Sequence, residues 1–307
     1  FTLPFGARDA LTAAVAVAGL GGLVWLGEFL RARGLSARST RRIVHILVGL
    51  FVASTPLLFS GAMPVYGLAA LFTIINAGAR SQTWWAGIHE ARPKSWGTVA
   101  LPLSVLPALA ATWSVSPDRL FALQGGYLVV ALADPAASWV GQWARPRAHD
   151  RPSTLPGSLA FAVVTLLVTG PLLTIETAWS WGRVLVVTGA VSVVATLIES
   201  TSSRGWDNFF VVMGVLLVLI ASQHSSLLQL VGALVAGGMA WVWPGLVFFG
   251  LSSALTALVG GDVSSVGPAD APRRTQAQVL ANGGVAWGAL AAVALAPAGA
   301  ATVASAG

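Results

Sequence analysis

Three acidic residues stand out because they lie within or beside long apolar runs. Asp134 interrupts one run, Glu199 ends another, and Asp207 precedes a third. Ionisable side chains at membrane-spanning segments are costly and usually mark functional sites. Carboxylates also suit Mg²⁺, which takes a few protein oxygens and completes its coordination with water and substrate phosphates. These positions therefore predict a magnesium site that serves phosphate chemistry.

A second group of residues has the chemistry of phosphate binding. Arg147 and Arg151 lie in the loop after the Asp134 run, and arginine pairs well with phosphate. The segment Pro-Gly-Ser at 156–158 opens the next run; proline suits the first helical turn, whose free N–H groups bind anions. There is no GxxxxGK[ST] motif and no GxGxxG motif after a strand, so a P-loop or Rossmann site is not indicated. The set predicts nucleotide-dependent phosphoryl transfer, which relies on positioning and charge neutralisation.

His45 and the Asp134-Pro135 pair raise questions about local structure. A histidine just inside an apolar run either bonds a neighbouring helix or takes part in proton transfer, and the sequence leaves both open for His45. Glu199 could likewise take part in proton transfer. Because the residue before a proline resists helical geometry, we expect the helix to break at Asp134 and to expose its carboxylate to water.

Composition defines the class of protein. Of 307 residues, 56% are hydrophobic and 9% are charged, and the mean hydropathy is +0.78; soluble domains average about 25% charged residues. The net charge is +6, but the basic residues lie in short loops between apolar runs, so we expect no nucleic-acid partner. The absence of cysteine excludes disulfides and thiolate metal sites. We predict an all-α, polytopic helical membrane protein.

Apolar runs long enough to cross a bilayer recur along the chain. They predict about ten or eleven transmembrane helices, a count that follows from run length. The predicted spans are about 10–27, two within 43–79, then 98–114, 120–142, 157–174, 184–199, three within 208–261, and 278–296.

The loop charges predict orientation. Alternate loops hold most of the basic residues, as the positive-inside rule describes for the cytoplasmic side. The N-terminus and the remaining loops hold only Arg8, Arg119 and Arg183 up to the seventh span. We therefore expect a multi-pass protein of the bacterial inner membrane, with its N-terminus outside. The notable polar side chains share the basic side, which predicts a site open to the cytoplasm.

Four segments resemble the motifs of the CTP-dependent polyprenol kinases, the phytol and dolichol kinase group. They are RRIVHILVGL, followed by Asn76 and RPKSWGTVALPLSVL; ADPAASWVG; STLPGSLAF; and IESTSSRGWDN. They occur in the family's order over about residues 28–215. The resemblance implies a multi-helix membrane enzyme that transfers the terminal phosphate of CTP to an isoprenoid alcohol, with the nucleotide on the cytoplasmic side and Mg²⁺ as cofactor.

The resemblance also implies roles for individual residues. Catalysis would fall to Asp134, Glu199 and His45, and metal binding to Asp134 and Asp207. Nucleotide binding would fall to Gly141, Arg147, Arg151, Thr154, Gly157 and Ser158. Further positions that match the family are Arg42, Asn76, His89, Gly97 and Asn208. The chain departs from the family at Ser153, where the family has a phosphate-binding lysine, so Arg147 or Arg151 would have to replace it.

The last part of the chain resembles a different family. VFFGLSSALTAL and APRRTQAQVLANGGVAWGAL are similar to the start of the membrane family that includes phytyl-phosphate kinase. We therefore predict a polyprenol-kinase-like membrane domain over 1–225 and a partial second membrane domain over 226–307.

Two other functions fit the same residues. Intramembrane carboxylates and broken helices also suit a transporter or a lipid carrier. A cytidylyltransferase acting on phospholipid precursors would likewise need CTP, Mg²⁺ and acidic groups. The reaction product separates these alternatives: a monophosphate, a CDP-lipid, or movement of an unchanged substrate.

Overall fold

A computed structural model describes residues 6–81, 96–144, 154–202 and 205–226, with residues 228, 229 and 232. The chain forms two compact units, Phe1–Gln223 and His224–Gly307, and nearly all described residues belong to the first. Nearly all of the predicted second domain, with its predicted spans, lies outside the described residues. The domain boundary at 225 and the total of ten or eleven spans stay predictions.

The described ranges are helical. The helices are α1 (Ala7–Ala32), α2 (Ala37–Leu58), α3 (Ala62–Ser81), α4 (Gly97–Ala111), α5 (Leu120–Ala144), α6 (Leu155–Glu176), α7 (Trp181–Thr201) and α8 (Asp207–His224). A 3₁₀ turn, Pro117–Arg119, precedes α5. Seven of these helices are long and apolar enough to cross a membrane, and α4 is a shorter apolar helix. The predicted all-α, multi-span architecture is confirmed for these ranges.

The helix boundaries follow local sequence signals. Ser36 caps α2 by accepting a hydrogen bond from the N–H of Ser39, a typical helix start. The run 43–79, which was predicted to hold two spans, divides between α2 and α3 at Ser60 and Gly61. α8 ends at His224, within the run 208–261 that was predicted to hold three spans.

The expected break at Asp134-Pro135 is wrong: α5 runs continuously through Pro135. Proline removes one backbone hydrogen bond and crowds the carbonyl of the preceding turn, but membrane helices tolerate this where neighbours supply other partners. Pro135 leaves the Ala131 carbonyl oxygen without its helical donor, and the carbonyl oxygen of the preceding residue, Val130, lies 3.1 Å from His45 Nε2. The Asp134 side chain nevertheless remains 33% exposed, so its expected access to water does not require a broken helix.

α5 occupies the centre of the bundle and packs against α2 and α6. The crossing with α2 is close at Gly49, where a Cβ atom would lie 2.6 Å from Ala131 Cβ and 3.1 Å from Ala131 Cα. Real Cβ atoms do not approach other atoms so closely, so only glycine fits there without moving a helix. Gly49 lies one helical turn after His45, which means that this contact also sets the distance of His45 from α5.

The helices alternate in direction, so the bundle has two distinct ends. The C-terminal ends of α1, α3, α5 and α7 and the N-terminal ends of α2, α4, α6 and α8 share what we call the basic end, after Arg31, Arg33, Arg38, Arg41 and Arg42. At the opposite end, Asp9 accepts hydrogen bonds from the backbone N–H (3.1 Å) and the hydroxyl of Ser60. Arg183 donates there to the carbonyl oxygen of Ser222. These contacts tie the helix ends together, and the predicted site residues lie at the basic end.

Candidate functional site

Arg42 of α2 is held against the C-terminal half of α5. Its Nη2 lies 2.8 Å from Ser138 Oγ and 3.0 Å from the Ser138 carbonyl oxygen, and its Nε lies 3.2 Å from Ser138 Oγ. The planar guanidinium makes such forked contacts with little loss of rotamer freedom. Ser138 was not among the predicted residues. Its position one helical turn after Asp134, on the same helix face, is the signal that would have indicated it.

His45 and Asp134 form the centre of the basic end. His45 Nε2 lies 3.7 Å from Asp134 Oδ2 and 3.1 Å from the Val130 carbonyl oxygen. Because a carbonyl oxygen can only accept, the Val130 contact requires a proton on Nε2, and in neutral imidazole Nδ1 is then the basic nitrogen. The nearby carboxylate would stabilise an imidazolium. Of the two roles left open for His45, the bond to a neighbouring helix is observed, and the geometry is compatible with proton transfer as well.

Three predicted carboxylates share this end of the bundle. Glu199 interacts electrostatically with both Asp134 and Asp207, and its Oε2 atom is buried without a hydrogen-bond partner among the described residues. Like charges close together, one of them buried, are unfavourable unless a cation compensates them or one of the carboxyl groups is protonated. Within the described ranges no group of three His, Asp or Glu residues is arranged to hold a metal ion. The arrangement therefore fits a cation that takes one or two carboxylates and completes its shell elsewhere, as Mg²⁺ does with phosphates.

The start of α6 packs tightly against the end of α5. A Cβ atom on Gly141 would lie 2.9 Å from Thr154 Oγ1, and one on Gly157 would lie 3.0 Å from the Ala137 carbonyl oxygen. Thr154 caps α6 by accepting from the Gly157 N–H at 3.2 Å, and the Ser158 N–H donates to the Thr154 carbonyl oxygen at 2.9 Å. The expectation that these two N–H groups are free is therefore wrong, because the helix cap uses both.

Four of the residues predicted to bind nucleotide lie around this helix start. Gly141, Thr154, Gly157 and Ser158 lie together at the basic end, where helix packing explains the two glycines. Their part in nucleotide binding stays a prediction. His89, Arg147 and Arg151 lie outside the described residues, as does Ser153.

Asn208 joins α8 to α4. Its buried Nδ2 donates to the carbonyl oxygen of Gly97 at 3.1 Å, and the rings of Trp96 and Trp206 stack beside this contact with centroids 6.2 Å apart. Asn76 instead donates to the Phe72 carbonyl oxygen of its own helix, at 2.7 Å. The predicted positions Asn76, Gly97 and Asn208 thus meet where α3 ends and where α4 and α8 begin.

An apolar cleft of about 130 Å³, here the α1–α4 cleft, lies between the first four helices. Most of its lining is aliphatic or aromatic, from Leu20 on α1 to Val105 on α4. Its polar lining at the basic end comprises Arg41, His45, Asn76, Thr98 and Asn208. The hydroxyl of Thr98 is buried and has no hydrogen-bond partner among the described residues. The sequence did not reveal this cleft, because its walls read as ordinary membrane-facing residues.

Comparison with known proteins shows a similarity to a kinase over most of the chain. The chain is 29% identical over 217 residues to the phytol kinase of Synechocystis sp. (strain ATCC 27184 / PCC 6803 / Kazusa), which covers 67% of this chain and 88% of that protein. Neither a protein-family model nor a solved structure matches the chain. The similarity supports the relationship to phytol and polyprenol kinases that the four motifs predicted. The resemblance of residues 226–307 to a second family stays a prediction.

Proposed function

We propose that this chain is an integral-membrane kinase that transfers a phosphate from CTP, or another nucleoside triphosphate, to an isoprenoid alcohol such as phytol or a polyprenol. One observation carries the proposal: His45 lines the polar mouth of the apolar α1–α4 cleft and also lies 3.7 Å from Asp134. An apolar cleft with a few polar groups is typical of small-molecule sites. The similarity to a phytol kinase supports the same class of substrate.

The loop charges support a cytoplasmic position for this site. Arg31, Arg33 and Arg38 lie around the α1–α2 connection, at the same end of the bundle as His45 and Asp134. Positively charged loops face the cytoplasm in most multi-pass proteins, and nucleotides are present there. We therefore assign the basic end to the cytoplasmic face and the N-terminus to the outside of a bacterial inner membrane.

His45 is the residue best placed to activate the alcohol. With Nε2–H directed to the Val130 carbonyl, Nδ1 accepts the hydroxyl proton while the alcohol oxygen bonds to the terminal phosphorus and the bond to the nucleoside diphosphate breaks. Asp134 then stabilises the imidazolium that forms. Proton transfer by a positioned side chain typically contributes about 10²- to 10⁴-fold to the rate. Glu199 is the second candidate for this role, and its position between Asp134 and Asp207 suits it better to the charge balance of the site.

The phosphates require positive charge and ordered donors. Asp134 and Asp207 would hold Mg²⁺, which neutralises phosphate charge when bound. Glu199 Oε2, which is buried and has no hydrogen-bond partner within the described ranges, fits a cation at this place. Gly157 and Ser158, with Thr154 and Gly141, would line the phosphate region at the start of α6. Arg147 and Arg151 would replace the lysine that the family has at the position of Ser153.

A screen of donors and alcohols tests the proposed function. The full chain in liposomes is supplied with Mg²⁺, one nucleoside triphosphate at a time, and phytol or a polyprenol, and the products are identified by mass spectrometry. An alcohol monophosphate, formed fastest with CTP, is the expected result. A CDP-lipid would instead show a cytidylyltransferase, and transfer of unchanged alcohol across the bilayer without product would show a carrier; either result overturns the proposal.

Gly49→Ala is expected to lower phosphorylation about 10- to 100-fold, since misplacement by about 1 Å can cost this much. The new methyl group would meet the Ala131 backbone, so α2 must move away from α5 and take His45 away from Asp134. Initial rates with saturating nucleotide measure the effect. Gly67→Ala is the matched control, because a Cβ atom at Gly67 meets nothing within 4 Å. Equal activity of the two variants would contradict the prediction.

A further inference from the structure

We infer that the α1–α4 cleft measures the length of the alcohol and that the side chains of Thr55, Val65 and Val105 form the floor that ends it. This inference rests on the proposed function and adds a specificity determinant to it. The hydroxyl would lie at the mouth beside His45, and the tail would extend between α2 and α3 toward the α2–α3 turn. The cleft would then be deep enough for an extended tail of about three to four isoprene units. Its volume of about 130 Å³ encloses only part of such a tail, and the rest would face the open side of the cleft.

The depth of the cleft follows from the helices that line it. His45 and Thr55 are both lining residues of α2, ten positions apart in the sequence, which corresponds to roughly 15 Å at the rise of an α-helix. Asn76 and Val65 on α3 give roughly 16 Å by the same rise. An extended carbon chain advances roughly 1.2 Å per bond, as the reach of a polypeptide shows. An isoprene unit adds four backbone bonds, so the cleft ends between about the third and the fourth unit of an extended tail.

The floor is closed, and its one hydroxyl group is already hydrogen-bonded. Thr55 is fully buried, and Val65 and Val105 are 3% and 2% exposed. The only hydroxyl among them, that of Thr55, donates to the Val52 carbonyl oxygen at 2.7 Å. A hydrocarbon tip at this level would therefore leave no buried polar group without its partner. Phe59, 4% exposed, follows at the end of α2.

The mouth offers charges of both signs, because Arg41 lines it and Asp134 lies 3.7 Å from His45. A fatty acid would bring its carboxylate close to Asp134 as well as to Arg41. Glu199 adds further negative charge, because it interacts electrostatically with Asp134. A neutral hydroxyl meets no such repulsion and can bond to His45, Asn76 or Thr98, all of which line the mouth.

Val65→Phe tests whether the floor of the cleft limits the length of the alcohol. Relative rates are measured for alcohols of two, three and four isoprene units and for a long polyprenol. The larger side chain should lower the rate with the four-unit alcohol about tenfold or more relative to the two-unit alcohol, a discrimination typical of apolar pockets. Val65→Ala should shift the preference toward longer tails. Leu71→Phe is the matched control: Leu71 belongs to the same helix, is 41% exposed and does not line the cleft, so its length profile should equal that of the unmodified chain.

A photo-crosslinking measurement separates this inference from the proposed function. An isoprenoid alcohol with a diazirine at its tail tip should label residues near Val65 and Val105, and a fatty acid of equal length with the same group should not. If product forms but Val65→Phe leaves the length profile unchanged, or if the probe labels residues elsewhere, the floor does not limit the tail. Either result would contradict this inference and leave the proposed kinase activity unaffected. Labelling of the floor without any phosphorylated product would overturn the proposed function and keep the tail site. Labelling by the fatty acid alone would assign the cleft to a bilayer lipid and contradict its role in selecting the length of the alcohol.

Discussion

Asp134→Asn should reduce phosphorylation of the alcohol by about 10³-fold, within the range that acid–base groups supply. The substitution keeps the size of the side chain but removes the charge that faces His45 and that would bind Mg²⁺. An amide also cannot stabilise an imidazolium as a carboxylate does. Initial rates of monophosphate formation, measured in liposomes by mass spectrometry, give the result. Asp118→Asn is the control, because Asp118 is exposed in the turn before α5 and carries the same chemical change.

The Mg²⁺ dependence of the residual activity separates two roles of Asp134. A metal ligand that loses its charge should raise the Mg²⁺ concentration needed for half-maximal rate, whereas a residue that only orients His45 should leave it unchanged. Thermal unfolding in detergent must show that the variant is folded. A folded Asp134→Asn variant with the rate of the unmodified chain would remove Asp134 from the proposed mechanism.

His45→Gln should lower kcat about 10²- to 10³-fold, in line with the loss of a general base. Glutamine can still donate to the Val130 carbonyl oxygen, so the contact between α2 and α5 can persist, but it cannot accept the hydroxyl proton. The KM for the alcohol should therefore change much less than kcat, because the walls of the cleft stay in place. His224→Gln at the opposite end of the bundle is the control, and should keep full activity.

Chemical rescue provides a sharper test of the same residue. His45→Ala removes the imidazole and leaves space at the mouth of the cleft, so added imidazole should restore part of the rate in this variant only. Rescue of kcat would show that the imidazole is needed for chemistry rather than for packing. A His45→Gln variant with unchanged kcat would transfer the role of base to Glu199.

The sequence was a good guide wherever one physical signal dominates. Long apolar runs gave the spans of the described helices, since nothing else satisfies backbone groups in a membrane. Polar side chains in alternate loops placed His45, Asp134 and Glu199 at one end of the bundle, which the contacts among them confirm. Helix direction alternates with every span, so residues far apart in the sequence meet at predictable ends.

The sequence was a poor guide where the type of a residue is compatible with two different local structures. Proline after Asp134 indicated a broken helix, but α5 continues through it, packed between α2 and α6. The start of α6 was expected to offer free N–H groups, but those of Gly157 and Ser158 are bonded to Thr154. The continuity of α5 depends on neighbouring helices, whose positions the sequence does not state.

The α1–α4 cleft was beyond prediction for a related reason. Its walls are made of Leu, Val and Phe side chains, which are equally suitable for contact with lipid or with other helices. Only the angles between four helices decide whether a gap remains among them. Its polar mouth was partly visible in advance, as His45, Asn76 and Asn208, but Arg41 and Thr98 were not singled out.

The position of the cleft has a consequence for the kinetics of the chain. Its walls are helices whose length and apolar character suit the hydrocarbon layer, so under the proposed function an alcohol would reach it by lateral diffusion in the bilayer. The relevant concentration is then the mole fraction of alcohol in the bilayer. Dilution of that alcohol with inert phospholipid slows the reaction even when its amount per millilitre stays constant. The affinity for the tail is therefore expressed as a mole fraction in the bilayer. The affinity for the nucleotide is expressed as a molar concentration in water.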